Sequence, residues 1–282
     1  MSSPRIYSQA YLTADASTVP ESIAIAGQLG YRYVGLRLMP NAPGAPHQRL
    51  LGDKALMRET LSRMADTGVG VFDLEIIRIA EGFDVSAYLP LFEAGAELKA
   101  RAVLVAADDT NEARLVHHYA KLCEAMLPYG MTADLEFMPW TAVKNARDAL
   151  RVVDAAGRPS NAGILVDALH FGRSDTSLAD IAALAQTDVA RALSEDVGAG
   201  DLTASLIDPT RRARARVLAR ESAVICGEPW ATAAVRALDP SAAIIWHVRE
   251  GQRCAPDQVV LEIEGNAQAL LTAERTALNF LQ

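Results

Sequence analysis

The chain is 282 residues long and half hydrophobic, with a formal net charge of -8 and a pI near 5.2. That acidity argues against a nucleic-acid footprint, which needs a basic surface, and no run is long and apolar enough to span a bilayer. The start, MSSPRIYSQAYL, has no charged leader ahead of an apolar core, and Cys123, Cys226 and Cys254 lie far apart in no metal-like spacing, so a cytoplasmic protein with reduced thiols is expected.

From the start to about residue 184, short apolar runs alternate with amphipathic stretches. The runs are IYSQAYL, YVGLRL, VGVFDLEIIRI, AVLVAA, ADLEFM and AGILVDALHF. Between them lie helical patterns such as ESIAIAGQLG, LMRETLSRMADTG and LVHHYAKLCEAMLPYG, several closing on a glycine as a helix C-cap does. Strand and helix repeated about six times predicts α/β architecture with parallel strands under helices. A (β/α) TIM-type barrel ranks ahead of a doubly wound sheet, because no glycine-rich phosphate loop follows the first strand.

After about residue 185 the pattern changes. VARALSEDVGAGDLTASLI reads as a helix and a polar turn, and RARARVLARESAVICG as an alternating strand with arginines on one face. EPWATAAVRALD reads as a helix and AIIWHVREGQRCAPDQVVLEIEG as strand, turn, strand. LLTAERTALNFLQ reads as a final helix capped by Thr272. The expected division is therefore residues 1–185, an incomplete barrel, and residues 186–282, a small α+β domain with an antiparallel sheet.

Functional residues of such barrels sit at the C-terminal ends of strands. Those ends carry Glu75, Asp108, Asp109, Glu136, Asp167 and His170. Glu136 and Asp167 lie on neighbouring strands within apolar runs, where an unpaired charge is costly, so they are the first candidates for holding a hard cation such as Mg²⁺ or Mn²⁺. Asp108 and Asp109 read as solvated loop residues. Glu75 either serves the site or pairs with Arg78 or Arg37. His117 and His118 read as surface or core-edge residues of a helix.

ADLEFMPWTAVKNARDAL and NAGILVDALHFGRS resemble the xylose-isomerase-like family of barrels, over about residues 5 to 184. The resemblance implies a sugar or sugar phosphate isomerase or epimerase fold with a divalent metal held from strands five to eight. By motif position it gives Glu136 and Asp167 to the metal and His170 to substrate, with Glu136 and His170 in catalysis, while Glu75, outside those motifs, is a substrate-binding candidate by its strand-end position. The metal polarises a carbonyl–hydroxyl pair while carboxylates move the proton. Strands seven and eight do not follow SLADIAAL, which leaves half a ligand set, a weakly held metal, and only His247 and Glu250 as modest replacements.

VARALSEDVGAGDLTASLI, ARVLARESAVICGEPW and LLTAERTALNFLQ together resemble the N-terminal domain of the quinolinate phosphoribosyltransferase (nicotinate-nucleotide pyrophosphorylase) family, from about residue 187 onward. The resemblance implies a domain that leans on a partner subunit's catalytic barrel, with Arg275 offered to quinolinate in trans; a homodimer is compatible with it. Arginine suits that task because it grips a carboxylate with two parallel hydrogen bonds. In that family the terminal helix leads into the catalytic barrel, which the 282 residues do not reach. Three functions stay open: a metal-dependent isomerase or epimerase acting on a small molecule, a contributor to phosphoribosyl transfer in NAD biosynthesis, and a non-catalytic fusion of two incomplete modules.

Overall fold

The computed structural model describes residues 7–198 and 200–281. They form two compact units that divide between Thr176 and Ser177. The division expected after residue 185 falls inside a 20-residue helix, Leu178–Val197, whose Ser177 and Asp180 form a reciprocal capping box.

The first unit has six parallel strands: β1 (Ser8–Gln9), β2 (Tyr33–Leu36), β3 (Gly70–Ile79), β4 (Ala102–Ala107), β5 (Thr132–Glu136) and β6 (Ala162–Leu165). They are hydrogen-bonded in sequence order. A doubly wound sheet reverses its order at a switch point, whereas a (β/α) barrel adds each strand beside the last. The sequential order therefore makes this an incomplete TIM-type barrel. Between the strands lie α1 (Val19–Gln28), α2 (Lys54–Thr67), α3 (Leu89–Glu97), α4 (Glu112–Met126) and α5 (Ala146–Ala155). After β6 comes the short α6 (Ala168–Arg173). Local signals set these bounds. Thr18 and Glu21 form a capping box on α1, Asp53 caps α2, and Gly68 ends α2 at φ 71. Burial is nearly complete on the central strands: Leu74, Ile77, Val103, Val105, Ala133 and Leu135 are all buried.

Two segments are less regular than their sequence suggests. The strand expected over IYSQAYL is only Ser8–Gln9, followed by a 3-10 turn at Tyr11–Thr13; Ile6 lies outside the described residues. The Tyr11 N–H leaves the ladder to donate to Glu75 Oε1 at 3.3 Å. The run AGILVDALHF stops being strand at Leu165, because Asp167 caps α6 instead.

The second unit begins with α7 (Leu178–Val197), followed by β7 (Arg212–Leu218), β8 (Ala223–Val224), α8 (Glu228–Leu238), β9 (Ala243–Trp246), β10 (Arg253–Cys254), β11 (Val259–Asn266) and α9 (Ala267–Phe280). The expected turn at GAGD includes Ala199, which lies outside the described residues. β7, β11 and β9 make an antiparallel sheet with β11 central, and β8 pairs β10. Val235, Val260, Leu261, Leu270 and Ala273 form its core, and a second cluster joins Val189 and Leu193 of α7 to Ala231 and Ala277. The last helix starts five residues before Thr272. Asn266 caps it, accepting from Ala269 N–H at 3.0 Å, while the Thr272 hydroxyl donates to Asp201 at 2.9 Å. None of the described helices is long and apolar enough to cross a membrane.

Candidate metal centre

Strand periodicity places the acidic groups. Side chains alternate along a strand, so Asp73 and Glu75 of β3 share one face, as do Asp134 and Glu136 of β5. Leu74, between the first two, faces Gly95 of α3, which puts the carboxylates on the lumen side. Each aspartate stands beside a glycine on the next strand. Asp73 is in register with Gly35 and Asp134 with Gly163. A Cβ on Gly35 would lie 2.7 Å from Asp73 Oδ1, and one on Gly163 would collide with Asp134 Oδ1. The glycines make room for these half-buried carboxylates. Glu75 also sits in a bulge, since β3 advances from Leu74 to Ile77 while β4 advances only from Val103 to Val105. Bulges of this kind re-aim a side chain next to functional sites.

Glu136 closes β5 and is only 6% exposed. Asp167 is the N-cap of α6, its Oδ1 accepting from Leu169 N–H at 2.7 Å and His170 N–H at 3.0 Å. That contact fixes the carboxylate and leaves Oδ2 for another partner. One short helix therefore carries Asp167 at its cap and His170 in its first turn. His170 Nε2 lies 3.6 Å from Glu136 Oε1, and Nδ1 lies 3.9 Å from Asp167 Oδ1. Both distances exceed a hydrogen bond, and His170 Nδ1 is buried without a partner among the described residues. One ligand atom from each of the three residues lies within 4.8 Å of the others, the one such group of His, Cys, Asp or Glu among the described residues. Two carboxylates and an imidazole with an unpaired nitrogen fit a hard or borderline divalent cation whose remaining positions are filled by water.

The electrostatics match that geometry. Burial, followed by the charges of Asp167, Glu75 and Asp73, pushes the Glu136 carboxyl up to about 7. Burial, then Glu75 and Asp134, pushes Asp73 up to about 6. The groups acting on Glu136 are all acidic, the environment a cation relieves.

Glu75 joins this lumen from β3, two strands away from Glu136. Arg37 Nη2 holds its Oε2 at 2.7 Å, and the Arg37 guanidinium stacks over the Tyr11 ring at 4.6 Å. Of the two arginines weighed for Glu75, Arg37 is the partner; Arg78 grips Asp108 with bonds of 2.6 and 2.8 Å. Asp109 is likewise held by Arg114, at 2.6 and 2.9 Å, so both aspartates are ion-paired rather than simply solvated. His118 is packed on the Phe83 ring. Sequence reasoning passed over Trp140, whose ring meets His170 edge-on at 4.8 Å. Its signal was an aromatic in the loop after a strand-end glutamate.

Arg275 lies on α9, with its side chain 67% exposed. Its Nε donates to Asp196 Oδ2 at 2.8 Å, and Asp196 also accepts from the Thr276 hydroxyl. His247 lies 3.9 Å from Glu262, and Glu250 caps the start of α8 through the N–H groups of Gly227 and Glu228. Both already serve the second unit. An apolar cavity of about 620 Å³ lies between β7 and α9, walled by Ala213, Val217, Leu270 and Leu278 with Arg216 and Glu274 also lining it.

Residues 201–282 match the family model for the quinolinate phosphoribosyl transferase N-terminal domain. A probable nicotinate-nucleotide pyrophosphorylase [carboxylating] of Synechocystis sp. is 39% identical over 89 residues, 32% of this chain and 30% of that protein. The corresponding protein of Bacillus subtilis is 32% identical over 88 residues, 31% of this chain and 30% of its own length. The chain thus spans about 30% of the length of these curated relatives. Among solved structures, the IOLI protein with a bound zinc atom superimposes with a TM-score of 0.52 at 17% identity, over 64% of this chain and 69% of that one. The probable 3-DHS dehydratase AsbF of Bacillus anthracis gives 0.52 at 16% identity over the same shares. The first unit therefore shares the TIM-barrel fold of these solved structures, and residues 201–282 are similar to the quinolinate phosphoribosyl transferase N-terminal domain.

Proposed function

We propose that the first unit carries a metal-dependent isomerase- or epimerase-type site for a sugar-like small molecule. The observation that carries this reading is the convergence of Glu136, Asp167 and His170 ligand atoms within 4.8 Å. The fold neighbour described with a bound zinc atom supports a metal in this architecture. Glu136 and Asp167 would hold the cation, which would supply polarisation of a carbonyl–hydroxyl pair.

The other roles belong to side chains of the chain itself. Glu136, pushed up to about 7, exchanges a proton readily at neutral pH, so proton and cation compete for it. His170 lines the same mouth with Nδ1 unpaired, able to hydrogen-bond a substrate oxygen and carry its proton. Glu75, pinned by Arg37 and the Tyr11 N–H, orients the substrate from β3.

Calorimetric titration with Mn²⁺ tests the site. Two carboxylates and water hold such an ion loosely, so dissociation in the high-micromolar to millimolar range is expected, about −4 to −6 kcal/mol. Glu136→Gln or Asp167→Asn should abolish it, and Asp109→Asn should leave it unchanged. Affinity should rise with pH through about 7 as Glu136 sheds its proton. Binding that survives both site substitutions would place the ion elsewhere.

A second reading rests on the match over residues 201–282: the α+β unit presents Arg275 to the carboxylates of a quinolinate-like substrate bound by another chain, within NAD biosynthesis. Its test is formation of nicotinate mononucleotide from quinolinate and phosphoribosyl pyrophosphate. No turnover is expected from this chain alone. A gain on mixing with a relative's catalytic barrel, lost in Arg275→Ala, is the result that supports the reading.

A further inference from the structure

In the second unit β7 is an edge of its sheet, with β11 as its strand neighbour among the described residues. Edge strands turn a row of N–H and C=O groups outward, and such a row is a template for another strand. Here the edge is seven residues long, Arg212–Leu218, and holds no proline. Its two faces differ. Residues alternate across a strand, so Arg212, Arg214 and Arg216 share one face. Ala213, Ala215 and Val217 share the other, where they wall the cavity of about 620 Å³ between β7 and α9. That apolar face is covered on β11 and open on β7: Ile263 is 7% exposed, whereas Ala215, in register with it, is exposed. Across the cavity, Leu271 and Leu278 of α9 are exposed too.

β11 shows what β7 accepts as a neighbour. It runs Leu261, Glu262, Ile263, Glu264, in register with Val217, Arg216, Ala215 and Arg214. Its apolar residues join the apolar face and its glutamates face the arginines. Arg214 closes an ion pair with Glu262, a contact that holds the Glu262 carboxyl below its ordinary range. Opposite charges across a strand pair stabilise it, and like charges oppose it. Glu262 and Glu264 both lie on the β11 side of the arginine row, and Asp239, which feels the charge of Arg212, is engaged by Ser241 and the Asn266 N–H. Beyond the outer side of β7 the sheet has no strand among the described residues. The residues lining the cavity lean the same way, with Arg211, Arg216 and Arg220 against Glu274. A second copy paired so that the two apolar faces join would set arginine rows side by side, about 5 Å apart. The edge therefore opposes its own kind and favours an acidic strand.

We propose that the free edge of β7 docks an extended peptide of a partner protein, one that alternates apolar and acidic residues, as an added strand. Its apolar side chains enter the cavity between β7 and α9, and its carboxylates lie along Arg212, Arg214 and Arg216. Its main chain takes up the outward hydrogen-bonding groups of the edge.

The test uses the full chain and two fluorescein-labelled probes, Ac-LEIELEV-amide and its charge-reversed counterpart Ac-LKIKLKV-amide, followed by fluorescence anisotropy and hydrogen exchange. The acidic peptide should bind at least about tenfold more tightly than the lysine peptide. Its binding should weaken as salt is raised and should protect amides of residues 212–218. Arg212→Glu combined with Arg216→Glu should invert the preference between the two peptides, and Ala215→Asp should abolish binding of both. All three positions are exposed, so the variants should melt close to the parent. Indifference to peptide charge overturns the proposal, as do protection confined to another region and the absence of binding. Self-association of the chain in sedimentation, lost in Ala215→Asp, would give the edge to a second copy and overturns it equally.

Discussion

The two units treat their charged groups in opposite ways. In the second, the carboxylates of Asp196, Asp201, Asp208, Asp239 and Glu262 are all held below their ordinary range, each by a hydrogen bond to a nearby arginine, hydroxyl or backbone N–H. In the first, acids that cap turns, such as Glu21 and Asp84, behave likewise, but the lumen pair Asp73 and Glu136 is pushed upward. The buried polar atoms lacking partners among the described residues, on Gln9, Tyr11, Arg37, Gln48, His118 and His170, all belong to the first unit. One unit spends its charges on holding its own loops. The other keeps several unsatisfied, which costs stability and is the signature of a place where something binds.

Neutralising one carboxylate in each unit should give opposite signs, and this is the largest effect expected. Glu136→Gln should raise the melting temperature of the metal-free protein at pH 8, because a buried charge disappears; the gain is on the order of 2 kcal/mol after allowance for water at the mouth. Asp239→Asn should lower it, since Asp239 receives Asn266 N–H at 2.8 Å and both the N–H and hydroxyl of Ser241. Two shifts of the same sign would break the contrast.

Acid and base should also separate the units. Between pH 4.5 and about 7, folded Glu136 keeps a proton that the unfolded chain has released. The folded state binds more protons there, so stability of the first unit falls as pH rises across that window. The lowered acids of the second unit contribute stability that is complete above their ordinary pKa and lost as pH falls through the folded values. Urea titrations read by peptide-resolved hydrogen exchange, corrected for intrinsic rates, should show slopes of opposite sign. Added Mn²⁺ should flatten the first slope only.

The smallest effect concerns α9. Asn266→Ala removes the cap and the bond to Pro209 O at 2.7 Å, and should cost about 1 kcal/mol or slightly more. Thr272→Ala removes one hydroxyl bond to Asp201 and should cost less. A reversed ranking, measured by thermal unfolding, would restore Thr272 as the start of the helix.

Much of the first unit was legible because its strands are apolar runs of the right length, and Glu136 and Asp167 interrupt those runs. What stayed hidden was pairing. Nothing in the sequence says that Arg37 rather than Arg78 meets Glu75, since that depends on a bulge at Glu75–Ile76 that shifts register by one residue. Helix starts were harder still. TAER offers an attractive cap at Thr272, but the helix begins where β11 ends, and Asn266 has to serve both elements. The division between units lies at Thr176–Ser177, just ahead of the Ser177 cap of α7, so the whole of α7 packs with the second unit although its pattern reads as a continuation of the barrel's helices.

The cap of α6 has a consequence for how the centre comes into being. A six-residue helix is too short to persist by itself, and it hangs on the same carboxylate that is assigned to the ion. Asp167 therefore acts twice, once as a ligand and once as the hinge pin that sets the position of His170. Asp167→Asn can still cap and should leave His170 in place, while Asp167→Ala releases the helix as well. Any future redesign of the centre faces this dependence: the Asp167 ligand and the His170 beside it cannot be tuned separately, and a change at the first is inherited by the second.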